Sequence, residues 1–305
     1  MSSKGELIVE GRRLAVSNLP KVLYPKTGFT KGHLIDYYIR IAPVLLPHLK
    51  DRPLTMKRYP DGVDQPFFYE KNCPTHRPSW VKTAKVWSEG NQKEMQYCLV
   101  QDLPTLVWAA NLADIELHTS LAKKQKIARP TVMVFDLDPG APADIVQCCQ
   151  VGLWLRELLA GLNLKSWAKT SGSKGLQIYV PLNTPATFDQ TKEWSRILGE
   201  HLAHEHPKLV VARMAKALRT GKVFVDWSQN DEHKTTINVY SLRARPEPTA
   251  STPVTWDEVA SALRKRNADL LVFTSDEVLR RVEQSGDLFE PVRTLRQKLP
   301  KQWDP

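Results

Sequence analysis

The chain has 305 residues, of which 42% are hydrophobic and 25% are charged, an ordinary composition for a globular protein with a sizeable core. No apolar run is long enough to span a membrane and the N-terminus lacks a signal-peptide core, so we expect a cytoplasmic protein. Its 43 basic against 33 acidic residues give a formal charge of +10, which favours a polyanionic partner such as nucleic acid. No CxxC pair occurs among Cys73, Cys98, Cys148 and Cys149, so we expect reduced, mostly buried thiols rather than a zinc site.

The N-terminal part of the chain is predicted to alternate strands and helices. Residues 6–16 are typical of a hairpin that turns at Glu10-Gly11. Apolar residues at helical spacing predict a helix from Lys31, and Pro47 is expected to end it. Three further segments follow: strand and turn over 52–70, an exposed loop that could turn at Gly90 over 82–96, and a helix over 103–118.

The rest of the chain continues this alternation. The run VMVFDLD at 132–138 predicts a strand, and a helix is expected between Pro142 and Gly161. The remaining predicted elements are two strands around a Gly-Ser turn within 165–182, helices over 187–204 and 207–219, a strand over 222–227, and short helices over 255–265 and 275–284. Alternating elements with hairpin-linked strands indicate an α/β fold with a mixed sheet.

Three aspartates are candidates for a metal site. Asp136 and Asp138 lie two apart on a predicted strand, so they share one face and are separated by roughly 6.6 Å. Their oxygens could converge on metal ions about 3.5–4 Å apart, the spacing used in two-metal phosphoryl transfer. Asp226 ends another predicted strand and would complete a hard-oxygen site for Mg²⁺ or Mn²⁺. The alternative is that aspartates at strand ends simply begin turns.

The turn TSGSKG at 170–175 is a candidate phosphate-binding loop. Small residues, hydroxyls, backbone N–H groups and the Lys174 ammonium could together wrap a phosphate chain. The spacing is not that of a P-loop. In the strand that follows, Gln177 is expected to face the site if Leu176, Ile178 and Val180 face the core. The alternative is an ordinary Ser-Gly hairpin with an exposed lysine.

Taken together, the ordered segments FDLDP, SGSKGLQIYVPL, VFVDWSQN and SLRARP resemble the polymerase domain of bacterial DNA ligase D, in the archaeo-eukaryotic primase superfamily. The runs SNLPKVLYP…TKG, FFYEKN and NLADIELH are similar too, so the resemblance covers nearly the whole chain. It implies a single primase-polymerase domain over 1–305, with mixed, largely antiparallel central sheets flanked by helices. Its expected parts are an N-terminal α/β part over about 1–125 with a 5′-phosphate pocket, a catalytic part over about 126–250 and a helical part over about 251–305.

The resemblance also implies an activity and partners. The family extends primers and fills gaps with NTP or dNTP during bacterial non-homologous end joining of double-strand breaks, using two Mn²⁺ or Mg²⁺ ions. The implied partners are DNA with 5′-phosphorylated ends or gaps, Ku and a DNA ligase, with no membrane association, and the implied location is cytoplasmic and nucleoid-associated.

Residue roles are implied by position within the matching motifs. Asp136, Asp138 and Asp226 match the catalytic, metal-binding acids. For the nucleotide, the matches are Ser171, Lys174 and Arg243 at the triphosphate, His118 at the sugar and Lys57 on the nucleotide side of the cleft. For DNA, Asn18, Lys21 and Lys31 match the 5′-phosphate pocket, and Phe67 and Phe68 match residues that stack on the template. Arg219 and the 82–96 segment match elements that bring DNA ends together. One of the two phenylalanines is expected to be core, because adjacent strand residues face opposite ways.

Two departures from the family pattern qualify these expectations. Gln177 stands where the family usually has His, and an amide cannot protonate, so we expect altered triphosphate binding or altered proton delivery to pyrophosphate. In addition, 305 residues leave no room for the nuclease and ligase domains of ligase D, so we expect a stand-alone polymerase or an excised domain.

Two other functions are open on the sequence alone. A DNA-end-bridging module with weakened catalysis would keep the basic charge and the phosphate pocket. A haloacid-dehalogenase-type phosphatase also ends an apolar strand in DxD, but Pro139 stands where that motif needs Gly.

Overall fold

The computed structural model describes residues 4–88 and 92–301. These residues form two compact units. The first contains the described residues up to 125 together with 235–251 and 273–286, and the second contains 126–234, 252–272 and the residues from 287 onward. Within the described ranges, no helix is both long and apolar enough to cross a membrane.

The first unit is built on an antiparallel sheet of order β15-β9-β5-β8-β7, with β6 paired to β5. Helix α1 packs against α2 and α6, and the Tyr38 hydroxyl of α1 donates to the Ile115 carbonyl of β9 at 2.7 Å. The strands of this unit are β1 (Lys4–Val9), β2 (Arg12–Ser17), β3 (Val22–Tyr24), β4 (Phe29–Thr30), β5 (Leu54–Arg58), β6 (Phe68–Glu70), β7 (Lys82–Ser88), β8 (Lys93–Leu99), β9 (Asp114–Thr119) and β15 (Thr236–Ile237), and its helices are α1 (Lys31–Leu49), α2 (Leu103–Asn111) and α6 (Ser275–Ser285).

The N-terminal hairpin is confirmed: β1 and β2 pair antiparallel around Glu10 and Gly11. Both turn residues have positive φ, 47° and 75°, as two-residue hairpin turns that match the strand twist require. The predicted end of α1 at Pro47 is wrong, because the helix continues to Leu49 with Pro43 and Pro47 inside it. Its apolar stripe continues through the fully buried Leu45 and Leu49, and this packing outweighs the lost backbone hydrogen bonds.

Two other predictions for this unit are corrected. The segment 103–118 is not one helix, because α2 ends at Asn111 and residues 114–119 form strand β9 after Ala113, which has a φ of 58°. The segment 82–96 is not a loop, because β7 and β8 pair antiparallel from Lys82 opposite Leu99 to Ser88 opposite Lys93. The hairpin is polar because much of it is exposed to solvent, and the expected turn at Gly90 lies outside the described residues.

The second unit is built on a sheet of order β13-β14-β10-β12-β11-β16. All neighbours in it are antiparallel except the parallel pair β13–β14, so the predicted mixed, largely antiparallel α/β fold is confirmed. The strands are β10 (Val132–Pro139), β11 (Trp167–Thr170), β12 (Leu176–Pro181), β13 (Val210–Val211), β14 (Val223–Asp226) and β16 (Pro253–Val254), and the helices are α3 (Ile145–Gly161), α4 (Phe188–Glu205), α5 (Trp256–Lys265) and α7 (Glu290–Thr294).

Helix α3 packs closely on the sheet below the candidate site. A Cβ added to Gly152 of α3 would lie 3.1 Å from Leu176 Cδ2 and 3.7 Å from Leu137 Cδ1. The apolar side chains of β10 are fully or almost fully buried, which fixes the strand that carries two of the candidate acids. The helix predicted over 207–219 is wrong: the short strand β13 and a 3-10 turn over Lys216–Leu218 occupy this segment.

The expectation of four reduced cysteines is corrected for one pair. Cys73 and Cys98 form a disulfide with a Cα–Cα distance of 4.9 Å. The pairing could not be foreseen from local sequence because it joins β8 to a connection 25 residues earlier. Cys148 and Cys149 are free and buried, as predicted.

We expect that replacing Gly140 by alanine destabilises the protein. A Cβ at this position would lie 1.9 Å from the Arg219 carbonyl oxygen, so Gly140→Ala should cost about 2–3 kcal/mol or more of unfolding free energy through backbone displacement. Gly161→Ala is the control, because its Cβ would meet nothing within 4 Å, and it should be neutral or slightly stabilising. Urea denaturation measures both, and equal stability of the two variants would contradict the prediction.

Candidate active site

The sheet of the second unit places four polar side chains in one cross-strand row. Asp136 of β10 lies directly opposite Asp226 of β14 on one side and opposite Gln177 of β12 on the other. Gln177 lies opposite Lys169 of β11. Because residues directly opposite each other in a sheet share a face, the row Asp226–Asp136–Gln177–Lys169 lies on one side of the sheet.

Asp138 extends this row along β10. It lies two residues beyond Asp136, so both carboxylates are on the same face, while Leu137 between them is fully buried on the other. Asp138 is exposed and Asp136 is half-buried. The backbone register therefore brings Asp136, Asp138 and Asp226 to the same face of the sheet, as the sequence predicted.

The electrostatics of Asp136 reflect this crowding. Burial and the nearby carboxylates of Asp138 and Asp226 raise the pKa of Asp136 to about 7, against the opposing effects of Gln177 and Lys169. Such a rise is expected where like charges share a partly desolvated site. The site therefore carries more negative charge than its own cations neutralise.

Asp226 begins a turn, which is the alternative that the sequence left open, and it also lies in the acid row. Its Oδ1 accepts from the Ser228 backbone N–H at 2.9 Å and from the Ser228 hydroxyl at 2.5 Å, and its Oδ2 accepts from Gln229 Nε2 at 3.1 Å. It thus begins the 3-10 turn over Trp227–Gln229 and also lies in the acid row.

The donor set fits a hard divalent cation. Among the described residues, no three His, Cys, Asp or Glu side chains are already arranged around a common metal position. The carboxylates of Asp136, Asp138 and Asp226 are nevertheless oxygen donors on one face, and burial together with their mutual repulsion raises the pKa of Asp136. Oxygen donors with excess negative charge suit ions of the Mg²⁺ and Mn²⁺ class.

The candidate phosphate loop lies against the end of β10. A Cβ on Gly175 would lie 2.4 Å from the Leu137 carbonyl oxygen, so only glycine fits there. The Ser171 hydroxyl accepts from the backbone N–H groups of Ser173 at 3.2 Å and Gly175 at 3.0 Å. Ser171 therefore shapes the loop internally. Lys174 is exposed, and a Cβ on the next residue, Gly175, would lie 3.6 Å from Asp138 Oδ1.

A second group of predicted site residues is gathered in the first unit by Glu116 of β9. One carboxylate oxygen of Glu116 lies 3.0 Å from His118 Nε2 and 3.4 Å from Lys57 Nζ, and the other lies 3.3 Å from Arg243 Nε. The second oxygen also accepts from the Ala244 backbone N–H at 3.0 Å. Lys57 lies opposite Glu116 in the β5–β9 register, so the sheet itself sets this arrangement.

The charges in this second group are balanced, in contrast to the acid row. Burial alone would raise the pKa of Glu116, but the hydrogen bond with His118 and the positive charges of Arg243 and Lys57 outweigh it and hold the pKa below its usual value. Burial lowers the pKa of His118 despite the opposing effect of Glu116. The group therefore contains an ionised glutamate next to a histidine that is neutral at pH 7.

Aromatic side chains surround Lys57. Its Nζ lies 4.3 Å from the ring centre of Phe67, with Tyr59 and Tyr69 at 5.3 and 5.6 Å. Phe67 and Phe68 are 48% and 43% exposed, so the expectation that one of them would be core is wrong. Strand β6 is short and is paired to β5, and the two rings pack on Lys57 and Arg58 at the surface.

The residues predicted to hold a 5′-phosphate lie together in the first unit. The Lys21 N–H donates to the Asn18 carbonyl at 2.9 Å, and the Lys31 N–H donates to the Lys21 carbonyl at 2.8 Å. Lys31 is 6% exposed, and burial, with the charges of Lys21 and Arg58 nearby, lowers its pKa to about 8. The Lys21 ammonium is paired with Asp61 at 2.5 Å.

Arg219 lies in the second unit on the segment that replaces the predicted helix. Its guanidinium lies 3.7 Å from the ring centre of Phe224 and donates to the Met214 carbonyl at 2.6 Å. Met214 and Leu218 beside it are about half exposed, at 49% and 44%. This segment is held by β14 yet presents apolar side chains to solvent.

Two residues at these sites were missed by the sequence analysis. Glu116 shares a strand face with His118 two residues later, but the helix predicted over 103–118 hid this spacing. Lys169 is fully buried, and its Nζ donates to Gln177 Oε1 at 2.5 Å. The alternation of Trp167, Lys169 and Ser171 along a strand would have placed it on the Gln177 side once the hairpin register was known.

Comparison with known proteins agrees with this geometry. The family model described as the primase-polymerase domain of LigD matches residues 30–289. The multifunctional non-homologous end joining protein LigD of Mycolicibacterium smegmatis is 40% identical over 282 residues, which is 92% of this chain and 36% of that protein. The bifunctional LigD of Bacillus subtilis is 31% identical over 299 residues, which is 95% of this chain and 47% of that protein.

A solved structure is similar over the same range. The polymerase domain of Mycobacterium tuberculosis ligase D, in complex with DNA, superposes with a TM-score of 0.85 at 37% identity and covers 93% of this chain and 99% of that one. The fold is thus that of the LigD polymerase domain, which is a family of nucleotidyltransferases. The chain belongs to the LigD primase-polymerase family, and it spans less than half the length of these two LigD relatives.

Glu116 is expected to stabilise the first unit strongly. Replacing it by glutamine leaves the half-buried cations of Lys57 and Arg243 without their counter-charge, so Glu116→Gln should lower the unfolding free energy by about 3 kcal/mol. The control is Glu94→Gln, whose partner Lys85 lies at 3.0 Å but whose pair is more than half exposed; it should change stability by about 0.5 kcal/mol or less. Urea unfolding of both variants tests this, and equal losses would contradict it.

Proposed function

We propose that this chain is a DNA-dependent nucleotidyltransferase that extends primers and fills gaps with NTP or dNTP in bacterial non-homologous end joining. The observation that carries the proposal is the acid row beside the Ser171–Gly175 loop. That arrangement combines donors for divalent cations with a loop and an exposed lysine suited to a triphosphate.

Asp136, Asp138 and Asp226 are the residues that would hold two Mn²⁺ or Mg²⁺ ions. Bound ions would supply positive charge that favours ionisation of the primer 3′-hydroxyl and stabilises the charge developing on pyrophosphate. Lys174 neutralises triphosphate oxygens from the loop. Ser171 keeps the loop in the shape that brings Lys174 beside the acids, through its two accepted hydrogen bonds.

The group around Glu116 is assigned to the nucleotide. Because a carboxylate only accepts hydrogen bonds, the proton of neutral His118 lies on Nε2, which donates to Glu116 at 3.0 Å, and Nδ1 is left as an acceptor. An acceptor at this position suits a sugar hydroxyl. Lys57 and Arg243, both ion-paired to Glu116, supply positive charge for the same ligand.

DNA contacts are assigned to three surfaces. Asn18, Lys21 and Lys31 form the 5′-phosphate pocket, for which clustered ammonium groups are suited. The half-exposed rings of Phe67 and Phe68 provide stacking faces for template bases. The β7–β8 hairpin and Arg219 are assigned to bringing DNA ends together, and Ku and a DNA ligase are proposed as protein partners because the relatives are named end-joining proteins.

Loss of a row carboxylate should abolish extension. Asp138→Asn removes a charged metal ligand, and because metal ions contribute several kcal/mol to such reactions, the rate should fall by at least about 1,000-fold. The control is Asp231→Asn, since Asp231 is paired with Lys192 at 2.7 Å outside the row and should leave the rate unchanged.

The measurement is primer extension on a gapped duplex with Mn²⁺ and, separately, Mg²⁺. No extension by the unaltered chain would favour the end-bridging function instead. Release of phosphate from small esters, without extension, would favour the phosphatase.

Recognition of a 5′-phosphate should weaken as pH rises. Burial, with Lys21 and Arg58 nearby, lowers the pKa of Lys31 to about 8, so the ammonium is charged at pH 7 and mostly neutral at pH 9. Affinity for a gapped duplex with a 5′-phosphate, relative to one with a 5′-hydroxyl, should therefore fall by up to about tenfold between pH 7 and pH 9. Fluorescence anisotropy measures both affinities.

Lys31→Arg is the matched variant for this experiment. Arginine stays charged throughout this range, so its preference for the phosphorylated duplex should not change with pH. A pH dependence that persists in Lys31→Arg would show that another group titrates.

A further inference from the structure

Lys169 has a place in the second unit that the function described above does not use. It is fully buried on β11, a position that lysine adopts in proteins only when its ammonium group has partners. Its Nζ lies 2.5 Å from Gln177 Oε1 and 5.3 Å from the ring centre of Tyr179. The ammonium therefore contacts an uncharged amide and an aromatic face, next to the acid row.

The bond from Lys169 decides which way the Gln177 amide is turned. An ammonium group can only donate, so it fixes Oε1 of Gln177 on the β11 side. The NH₂ group is then available on the other side, where Asp136 lies directly opposite Gln177 in the β10–β12 register. Gln177 does hydrogen-bond to the Asp136 carboxylate.

We propose that Lys169 is a positioning residue for the metal site, which acts through Gln177 to hold the Asp136 carboxylate in the orientation that binds a divalent cation. The chain of bonds runs from the Lys169 ammonium to Gln177 Oε1 and from Gln177 Nε2 to Asp136. Partners in the outer shell of metal sites commonly fix their ligands in this way, and losing one typically weakens metal binding 10- to 100-fold.

This inference rests on the proposed metal site but makes a separate claim. An amide with no partner on its oxygen can turn its own carbonyl towards Asp136, which would place two acceptors against each other. Lys169 excludes that orientation. The requirement for an orienting donor arises because residue 177 is a glutamine, whose amide has an acceptor at one end and a donor at the other.

The test is Mn²⁺ binding to the full, metal-free chain, measured by isothermal titration calorimetry. Lys169→Met keeps much of the apolar stem but removes the donor, and we expect its Mn²⁺ dissociation constant to rise by about tenfold or more. Lys192→Met is the control, because Lys192 is ion-paired to Asp231 away from the row, and its Mn²⁺ affinity should equal that of the unaltered chain. Thermal unfolding checks that each variant is folded, and if Lys169→Met is not, Lys169→Leu, which also lacks a donor, is measured in its place.

A double-mutant cycle separates positioning from a general effect of charge. If Lys169 acts through Gln177, the double variant Lys169→Met/Gln177→Met should bind Mn²⁺ no more weakly than Gln177→Met alone. Additive losses would overturn the inference, because they would show that the ammonium acts on the metal site directly. A folded Lys169 variant with unchanged Mn²⁺ affinity would also overturn it.

The two proposals fail in different ways. If the unaltered chain binds no Mn²⁺, the metal site of the proposed function is wrong and this inference falls with it. If the unaltered chain binds Mn²⁺ and Lys169→Met binds it equally well, the inference alone is wrong.

Discussion

The cross-strand register of the second sheet is the constraint on which the candidate active site depends. Asp136 is fixed opposite Asp226 and Gln177 by backbone hydrogen bonds, so the main chains that carry these side chains cannot move apart without breaking the ladder. A slip of one residue would turn Asp136 and Asp138 into the core and Leu137 towards solvent. The buried apolar residues of β10, packed under α3, resist that slip. Hydrophobic packing on one face of the sheet therefore keeps the acids close together on the other face, despite their mutual repulsion.

The two polar groups of this protein use carboxylates in opposite ways. Glu116 is almost fully buried, but three basic side chains surround it and its pKa lies below the usual value. Asp136 is flanked by two other acids and its pKa is raised to about 7. The charge of Glu116 is balanced by residues of the protein itself, and its carboxylate holds the surrounding side chains in place. The arrangement around Asp136 leaves negative charge that an added cation would neutralise, which is why a structural role suits Glu116 and the proposed ligand-binding role suits Asp136.

The parts of the site that sequence could predict are those set by local pattern. Two acids on a strand followed by Pro-Gly, and a Ser-Gly-Lys turn between two strands, carry their geometry within a few residues. The contributions of Lys169 and Glu116 depend on which strands become neighbours, and no local pattern fixes that pairing. The same limit explains the second half of the helix predicted over 103–118 and the helix predicted over 207–219, where tertiary contacts decide between strand and helix for apolar stretches. The β7–β8 hairpin was missed because its polar composition suggested a loop, although exposed strands of a sheet can be polar on both faces.

The contact between Gly175 and the Leu137 carbonyl joins the loop and the acid-bearing strand through main-chain atoms. With no side chain between them, the separation between the loop main chain and β10 is set by this contact and not by any rotamer. Substitutions at the exposed loop positions can therefore change the chemical groups that the loop presents while its main chain stays against the strand that carries Asp136 and Asp138.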